Sequence, residues 1–215
     1  SWHRTDSGID SPYVFDLKQA ASDHDVFYAS TADGRVYRSD DRTVSWRDVS
    51  SNLPYHISGI WSLAIHPEDA RVVFVGTGNY SRRDGFVYIT RDGGRSWQQA
   101  ALPRNGHLIS SIVFDTSDPN IVYVTTGIID AAMADSRDDL AGVFKSVDGG
   151  RTWSEANNGL TERVCNQVAI HPENNQILYA VTGSPWWDPP AGGSLYVSYD
   201  QGESWHQNSG GPYEI

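Results

Sequence analysis

Short apolar runs bounded by Gly, Pro, Asn or Asp dominate the hydrophobic pattern of this chain. Residues 72–78, 121–127 and 177–183 are examples, rich in β-branched and aromatic side chains and each ending in Thr and Gly. Such runs are typical of β-strands. No long stretch has the three-to-four-residue apolar period of a packed helix. The pattern therefore predicts an all-β protein with short strands and many turns.

One eight-residue pattern recurs along the chain. It reads Ser/Thr, any, Asp, any, Gly, any, any, Trp, and it occupies residues 90–97, 146–153 and 198–205. A degraded copy at residues 39–46 has Thr43 in place of the glycine. The copies lie about fifty residues apart, which is the size of one four-stranded β-propeller blade.

Each repeat reads as four strands, named A to D in chain order. A turn rich in Asp, Asn and Pro joins A to B, a variable loop joins B to C, and an Asp-Gly turn precedes strand D, which starts at the tryptophan. We predict a β-propeller segment with four-stranded antiparallel blades at about residues 10–53, 54–104, 105–160 and 161–212, after a strand D of a preceding blade at 1–9. Because four blades alone leave whole faces open, we expect a larger, six- to eight-bladed propeller.

The repeated Asp and Trp side chains have a local structural reason. The glycines supply the positive φ angles of a tight turn, and the Asp carboxylate can accept backbone N–H bonds within it. The tryptophan then packs a large apolar surface against neighbouring strands. We therefore predict structural rather than catalytic roles for Asp41, Trp46, Asp92, Trp97, Asp148, Trp153, Asp200 and Trp205.

This pattern resembles the Asp-box, or BNR, repeat of sialidases, the sortilin ectodomain, two-propeller xyloglucan-degrading endoglucanases and photosystem assembly factors. The resemblance implies the propeller fold, but enzymes and binding proteins share the repeat. The Arg-Ile-Pro motif of sialidases is absent from the sequence. The catalytic stretch of the xyloglucan-degrading enzymes, similar to Arg-Thr-Asp-Val-Gly-Gly, has no clear equivalent. Asp33 is the nearest look-alike, and we do not transfer the role to it.

The B–C loops are where the repeats differ most, and variable loops on a fixed scaffold usually carry function. Trp186 and Trp187 are flanked by prolines that stiffen their loop. They either form a platform for sugar rings or a partner's apolar side chains, or fold back over the neighbouring blade. We predict ligand contacts at Trp186, Trp187, Asp188, Tyr80, Arg82 and Asp84. Alternatively, Arg82 and Arg83 pair with the acidic B–C loop of the next blade.

That acidic loop, residues 128–141, contains Asp130, Asp135, Asp138 and Asp139. It is either a solvated polar loop, a calcium site, or the source of a glycosidase carboxylate with Asp188 as its partner. The spacing fits no EF-hand, and we predict no metal and no cofactor.

Composition narrows the function classes. The formal net charge of −11 argues against nucleic-acid binding, which rests on Lys and Arg. No apolar run is long enough for a transmembrane helix, and the lone Cys165 is expected to be a small buried residue. His66 and His171 recur before proline in equivalent A–B turns, which indicates a role in the fold.

Two function classes stay open from the sequence. The first is an extracytoplasmic binding or scaffold module that is secreted, periplasmic or at the cell surface, with no catalytic residue assigned. Its partners would be a carbohydrate or a protein, with the remaining blades supplied by the same or a partner chain. The alternative is a fragment of a glycoside hydrolase that acts on a plant-type or other β-glucan with paired carboxylates.

Overall fold

The computed structural model describes residues 6–11, 13–54, 59–78, 85–104, 108–127, 142–183 and 193–208. Sixteen strands form four separate four-stranded sheets in this part of the chain, with no helix among the described residues. Every sheet is antiparallel and uses four consecutive strands in chain order. The all-β propeller architecture predicted from the repeats is therefore confirmed.

The strands of the first two blades follow the repeat. Blade one contains β1 (Val14–Gln19), β2 (Phe27–Thr31), β3 (Val36–Ser39) and β4 (Arg47–Asp48). Blade two contains β5 (Ile60–Ile65), β6 (Val73–Thr77), β7 (Val87–Thr90) and β8 (Gln98–Gln99).

The last two blades repeat the order. Blade three contains β9 (Ile109–Phe114), β10 (Val122–Thr126), β11 (Val143–Ser146) and β12 (Ser154–Glu155). Blade four contains β13 (Cys165–His171), β14 (Asn174–Thr182), β15 (Ser194–Ser198) and β16 (His206–Gln207). Each strand D starts one residue after the tryptophan rather than on it. The predicted strand D of a preceding blade falls largely on residues outside the described ranges.

The hydrophobic core lies between blades rather than within one sheet. One cluster joins blades one and two around Tyr28 and Leu63, and another joins blades three and four around Tyr123 and Leu178. Between blades two and three, Phe74 packs edge-on against Phe114 with their ring centroids 4.9 Å apart. Burial of apolar area across each blade interface holds the fold together.

The Asp-box turns share one set of hydrogen bonds. In the third copy, the Ser146 hydroxyl donates to Asp148 at 2.9 Å and accepts the Gly150 N–H at 2.8 Å. The Thr152 N–H and hydroxyl donate to the two Asp148 carboxylate oxygens at 2.8 and 2.6 Å. Donation from Thr152 is the main reason that the pKa of Asp148 lies at about 2. These carboxylates are therefore ionised parts of a turn.

The tryptophans of the second and fourth turns tie neighbouring blades together. Trp97 Nε1 donates to the Val49 carbonyl oxygen in blade one, and Trp205 Nε1 donates to the Ala156 carbonyl oxygen in blade three, both at 2.8 Å. Trp153 differs, because its Nε1 donates to Gly150 O within its own turn at 3.2 Å.

Candidate functional site at the B–C end of the blades

Each of the four B–C loops begins at the same kind of residue, a buried threonine at the end of strand B. These threonines are Thr31, Thr77, Thr126 and Thr182. The Thr77 hydroxyl accepts the Phe86 N–H at 3.0 Å, and the Thr126 hydroxyl accepts the Gly142 N–H at 2.9 Å. The loops are thus variable segments mounted on a rigid base, as expected for a ligand-binding end.

The predicted ligand contacts Tyr80, Arg82, Asp84, Trp186, Trp187 and Asp188 lie outside the described residues, as do the four aspartates of the acidic loop. What the structure describes at this end is the inner part of the site, formed by the first residues of each strand A and the bases of the loops.

A β-bulge recurs at the second residue of every strand A. The pairing register shifts around Phe15, Trp61, Ser110 and Asn166 in blades one to four. Bulges are over-represented next to active sites, because the extra residue is unpaired and its side chain is re-aimed. Sequence reasoning missed these four residues. A signal existed, because in blades one to three each lies five positions before the residue that starts the A–B turn.

Two bulged residues form an aromatic pair across blades one and two. The rings of Phe15 and Trp61 lie with centroids 4.4 Å apart and planes 30° from parallel. Phe15 is 42% exposed and Trp61 is half-buried. Trp61 Nε1 donates to Gly78 O at 2.8 Å, which fixes the indole beside the start of the second B–C loop. Tyr13, two residues before Phe15, is also exposed.

The bulged residues of blades three and four are polar. The Ser110 hydroxyl donates to Cys165 O at 2.7 Å, and Asn166 Nδ2 donates to Gly183 O at 3.1 Å. Asn166 Oδ1 is buried and has no hydrogen-bond partner among the described residues. The inner surface therefore changes from aromatic at blades one and two to hydrogen-bonding at blades three and four.

Asp33 in the first B–C hairpin serves the fold. Its carboxylate accepts hydrogen bonds from the hydroxyls of Ser11 and Thr31, both at 2.6 Å, and lies 3.3 Å from Arg35 Nε. Desolvation raises the pKa of Asp33, but the hydrogen bonds from Ser11 and Thr31 outweigh it and hold the pKa below its ordinary value. A glycosidase general acid needs the opposite shift.

Cys165, His66 and His171 also have structural rather than catalytic roles. Cys165 is buried, and desolvation raises its pKa to about 12, which removes the thiolate that a nucleophile needs. His66 Nδ1 accepts the Glu68 N–H at 3.1 Å, and His171 Nδ1 accepts the Glu173 N–H at 3.2 Å. Both histidines thus close the same turn in different blades.

The described residues contain no group of three or more His, Cys, Asp or Glu side chains that could hold a metal ion. They also contain no helix with the length and apolar character needed to span a membrane.

Comparison with known proteins supports the repeat and the fold. The BNR/Asp-box repeat model matches residues 196–207. An oligoxyloglucan-reducing end-specific xyloglucanase from Emericella nidulans is 24% identical over 94% of this chain. The vacuolar protein sorting/targeting protein 10 of Verticillium alfalfae is 27% identical over 75% of this chain. The chain spans 24% of the Emericella protein and 9% of the Verticillium protein.

Among solved structures, an ancestral GH74 enzyme superposes with a TM-score of 0.75 and 21% identity, over 96% of this chain and 27% of that one. At this identity the likeness establishes the fold. The chain is therefore identified as a segment of a β-propeller built from BNR/Asp-box repeats, on the basis of the matched repeat, the Asp-box turns and the four four-stranded sheets.

Proposed function

We propose that these blades form a glycan-binding surface of a glycoside hydrolase that acts on xyloglucan or a related β-glucan. The observation that carries the proposal is the sequence similarity to a xyloglucanase over 94% of the chain. Because a polysaccharide substrate lies outside the cytoplasm, our proposal includes a location in the periplasm, at the cell surface or in the medium.

The inner B–C end has chemistry that suits a neutral sugar chain. Exposed aromatic faces such as that of Phe15 pack against the apolar faces of sugar rings, while amide and hydroxyl groups orient sugar hydroxyls. The Phe15–Trp61 pair supplies the first kind of group. The half-buried amide of Asn166, at the base of the fourth B–C loop, supplies the second kind.

The loop residues extend this surface in our proposal. Trp186 and Trp187 add aromatic area, and Tyr80, Arg82, Asp84 and Asp188 add polar contacts. Because the described Asp33 is held ionised within its hairpin, we assign it a role in supporting the substrate surface rather than in bond cleavage.

Titration calorimetry on the intact protein tests the proposal, using xyloglucan oligosaccharides, cello-oligosaccharides and sialyllactose. We expect xyloglucan to bind and Phe15→Ala to weaken that binding about tenfold, the upper end of what one aromatic contact contributes. The matched control is Tyr199→Ala, since Tyr199 is 55% exposed but lies in an Asp-box turn at the other end of the blades. Absence of β-glucan binding, or equal weakening by both variants, would refute the proposal.

A second function is a binding module without hydrolysis, for a carbohydrate or a protein partner. The similarity to the sorting/targeting protein over 75% of the chain favours it. Release of reducing ends from xyloglucan by the intact protein distinguishes the two functions, because a binding module would bind the glycan and leave it uncut.

A further inference from the structure

A cleft lies between blades one and two on the Asp-box side, at the opposite end from the B–C loops. It has a volume of about 370 Å³ and is bounded by the β3–β4 edge of blade one and the second Asp-box turn. The arginines that line it are Arg38, Arg47, Arg71 and Arg95. These are four of the sixteen cationic side chains in a chain of net charge −11.

The nearby carboxylates leave part of this positive charge without a partner. Asp40 is shared by Arg38 and Arg47, with N–O distances of 2.6 and 2.9 Å. Asp69 pairs with Arg71 at 2.9 Å. Among the described residues, the guanidinium of Arg95 has no hydrogen-bond or ion-pair partner, although each guanidinium carries five N–H donors.

The two carboxylates that line the cleft are engaged elsewhere. Asp92 accepts the N–H and hydroxyl of Ser96 within the Asp-box turn, and Ser96 is the main reason that its pKa is about 2. Asp48 pairs with Arg35 at 2.8 Å. Neither is therefore committed to Arg95.

The other blade interfaces do not have four arginines at these positions. Between blades two and three they are Ile89, Gln98, Asn120 and Arg151. Between blades three and four they are Lys145, Ser154, Gln176 and Glu203, and Lys145 pairs with Glu203 at 3.0 Å. Since the repeat geometry is shared, turn formation does not require arginine at these positions. The concentration of charge at the first interface needs a separate explanation.

We propose that this cleft binds a carboxylate-bearing small molecule, with Arg95, Arg47 and Arg71 as its donors. The planar guanidinium matches a carboxylate with two parallel hydrogen bonds. Because Asp48 and Asp92 also line the cleft, a single negative charge fits better than a doubly charged phosphate. The volume admits a ligand the size of a sugar acid. This site is independent of the glycan surface at the B–C end.

Titrations of the intact protein with sodium glucuronate, sodium lactate and inorganic phosphate at constant ionic strength test this site, with glucose as the neutral control. We expect saturable glucuronate binding that Arg95→Gln weakens at least tenfold. Arg151→Gln is the matched control, because Arg151 holds the same position in the next Asp-box turn. Thermal melting verifies that Arg95→Gln stays folded.

Comparison of the two carboxylate titrations identifies the chemical class of the ligand. Tighter binding of glucuronate than of lactate indicates a sugar acid, and equal binding indicates any small monocarboxylic acid; both results support the site. Preference for phosphate, absence of saturable carboxylate binding, or equal weakening by Arg151→Gln would overturn it. The last result would show that exposed arginines in general, rather than this cleft, attract the anion. None of these outcomes bears on xyloglucan binding.

Discussion

The first and third Asp-box turns reach the same hydrogen-bonded shape from different residues. The third turn uses Gly149 and Gly150, with φ angles of +69° and +81°. The first turn uses Arg42 and Thr43, with φ angles of +56° and +71°. The Thr43 N–H donates to the Ser39 hydroxyl at 2.9 Å, just as the Gly150 N–H donates to the Ser146 hydroxyl. The side-chain clamp can therefore hold a left-handed backbone without glycine.

The surroundings of the two turns explain why only one of them keeps its glycines. A Cβ on Gly150 would lie 2.5 Å from Phe74 Cε1 in blade two, closer than packed atoms allow. Thr43 is only half-buried, whereas Gly150 is buried. The second glycine of the pattern thus meets two demands, a positive φ and close packing between blades. Close packing between blades is therefore a stronger requirement for glycine at this position than the positive φ angle.

Gly150→Ala should produce the largest effect. The left-handed backbone costs an L-residue about 1–2 kcal/mol, and the clash with Phe74 adds about 1–3 kcal/mol. We expect the free energy of unfolding, from urea denaturation of the intact protein, to fall by about 3 kcal/mol. Gly149→Ala is the control, because its Cβ would meet nothing closer than Asn120 Oδ1 at 3.8 Å. Equal losses from the two variants would contradict the packing argument.

Removing the carboxylate clamp should have a smaller effect that is the same in both turns. Asp41 and Asp148 each have a pKa of about 2, chiefly through hydroxyl donation from Ser45 and Thr152 respectively. Since the pKa of an unfolded Asp is about 3.9, ionised clamps stabilise the fold above that pH, and the stabilisation is lost as the pH falls towards 2.

We therefore expect Asp148→Asn to lower the free energy of unfolding by about 1 kcal/mol at pH 7. Asp41→Asn should shift the urea midpoint in the same direction, and both variants should show a flatter loss of stability between pH 4 and pH 2. A much larger shift for Asp148→Asn would mean that the clamp depends on the glycines after all.

The repeat made the fold predictable from sequence. The Asp, Trp and Gly positions gave the turns, and the apolar runs between them gave the strands, because each residue type meets a local backbone demand. The start of strand D was one residue wrong. The tryptophan faces the preceding blade, as the Trp97–Val49 hydrogen bond shows, and this contact is not encoded in local propensity.

The candidate site was less predictable. The bulges that re-aim Phe15 and Trp61 depend on pairing between strands, so a single-residue shift leaves little trace in the hydrophobic pattern. The arginine cleft could not be predicted from sequence for a related reason. Arg38 and Arg71 are far apart in sequence, and only the stacking of blades one and two brings them to one cavity.

Thr43→Gly should give the smallest effect. It introduces the glycine that the first turn lacks, whereas Gly150→Ala removes one from the third turn. A β-branched residue with positive φ is strained, so glycine relieves about 1–2 kcal/mol, but its greater freedom in the unfolded chain returns about 0.5–1 kcal/mol. We expect a net gain of roughly 0.5–1 kcal/mol in the free energy of unfolding, measured by urea denaturation. Thr43→Ala is the control, because alanine keeps the left-handed strain and should gain less. If Thr43→Gly instead destabilised the protein, the threonine side chain itself would be stabilising the first turn. Its contacts would then offset the backbone strain by more than glycine relieves.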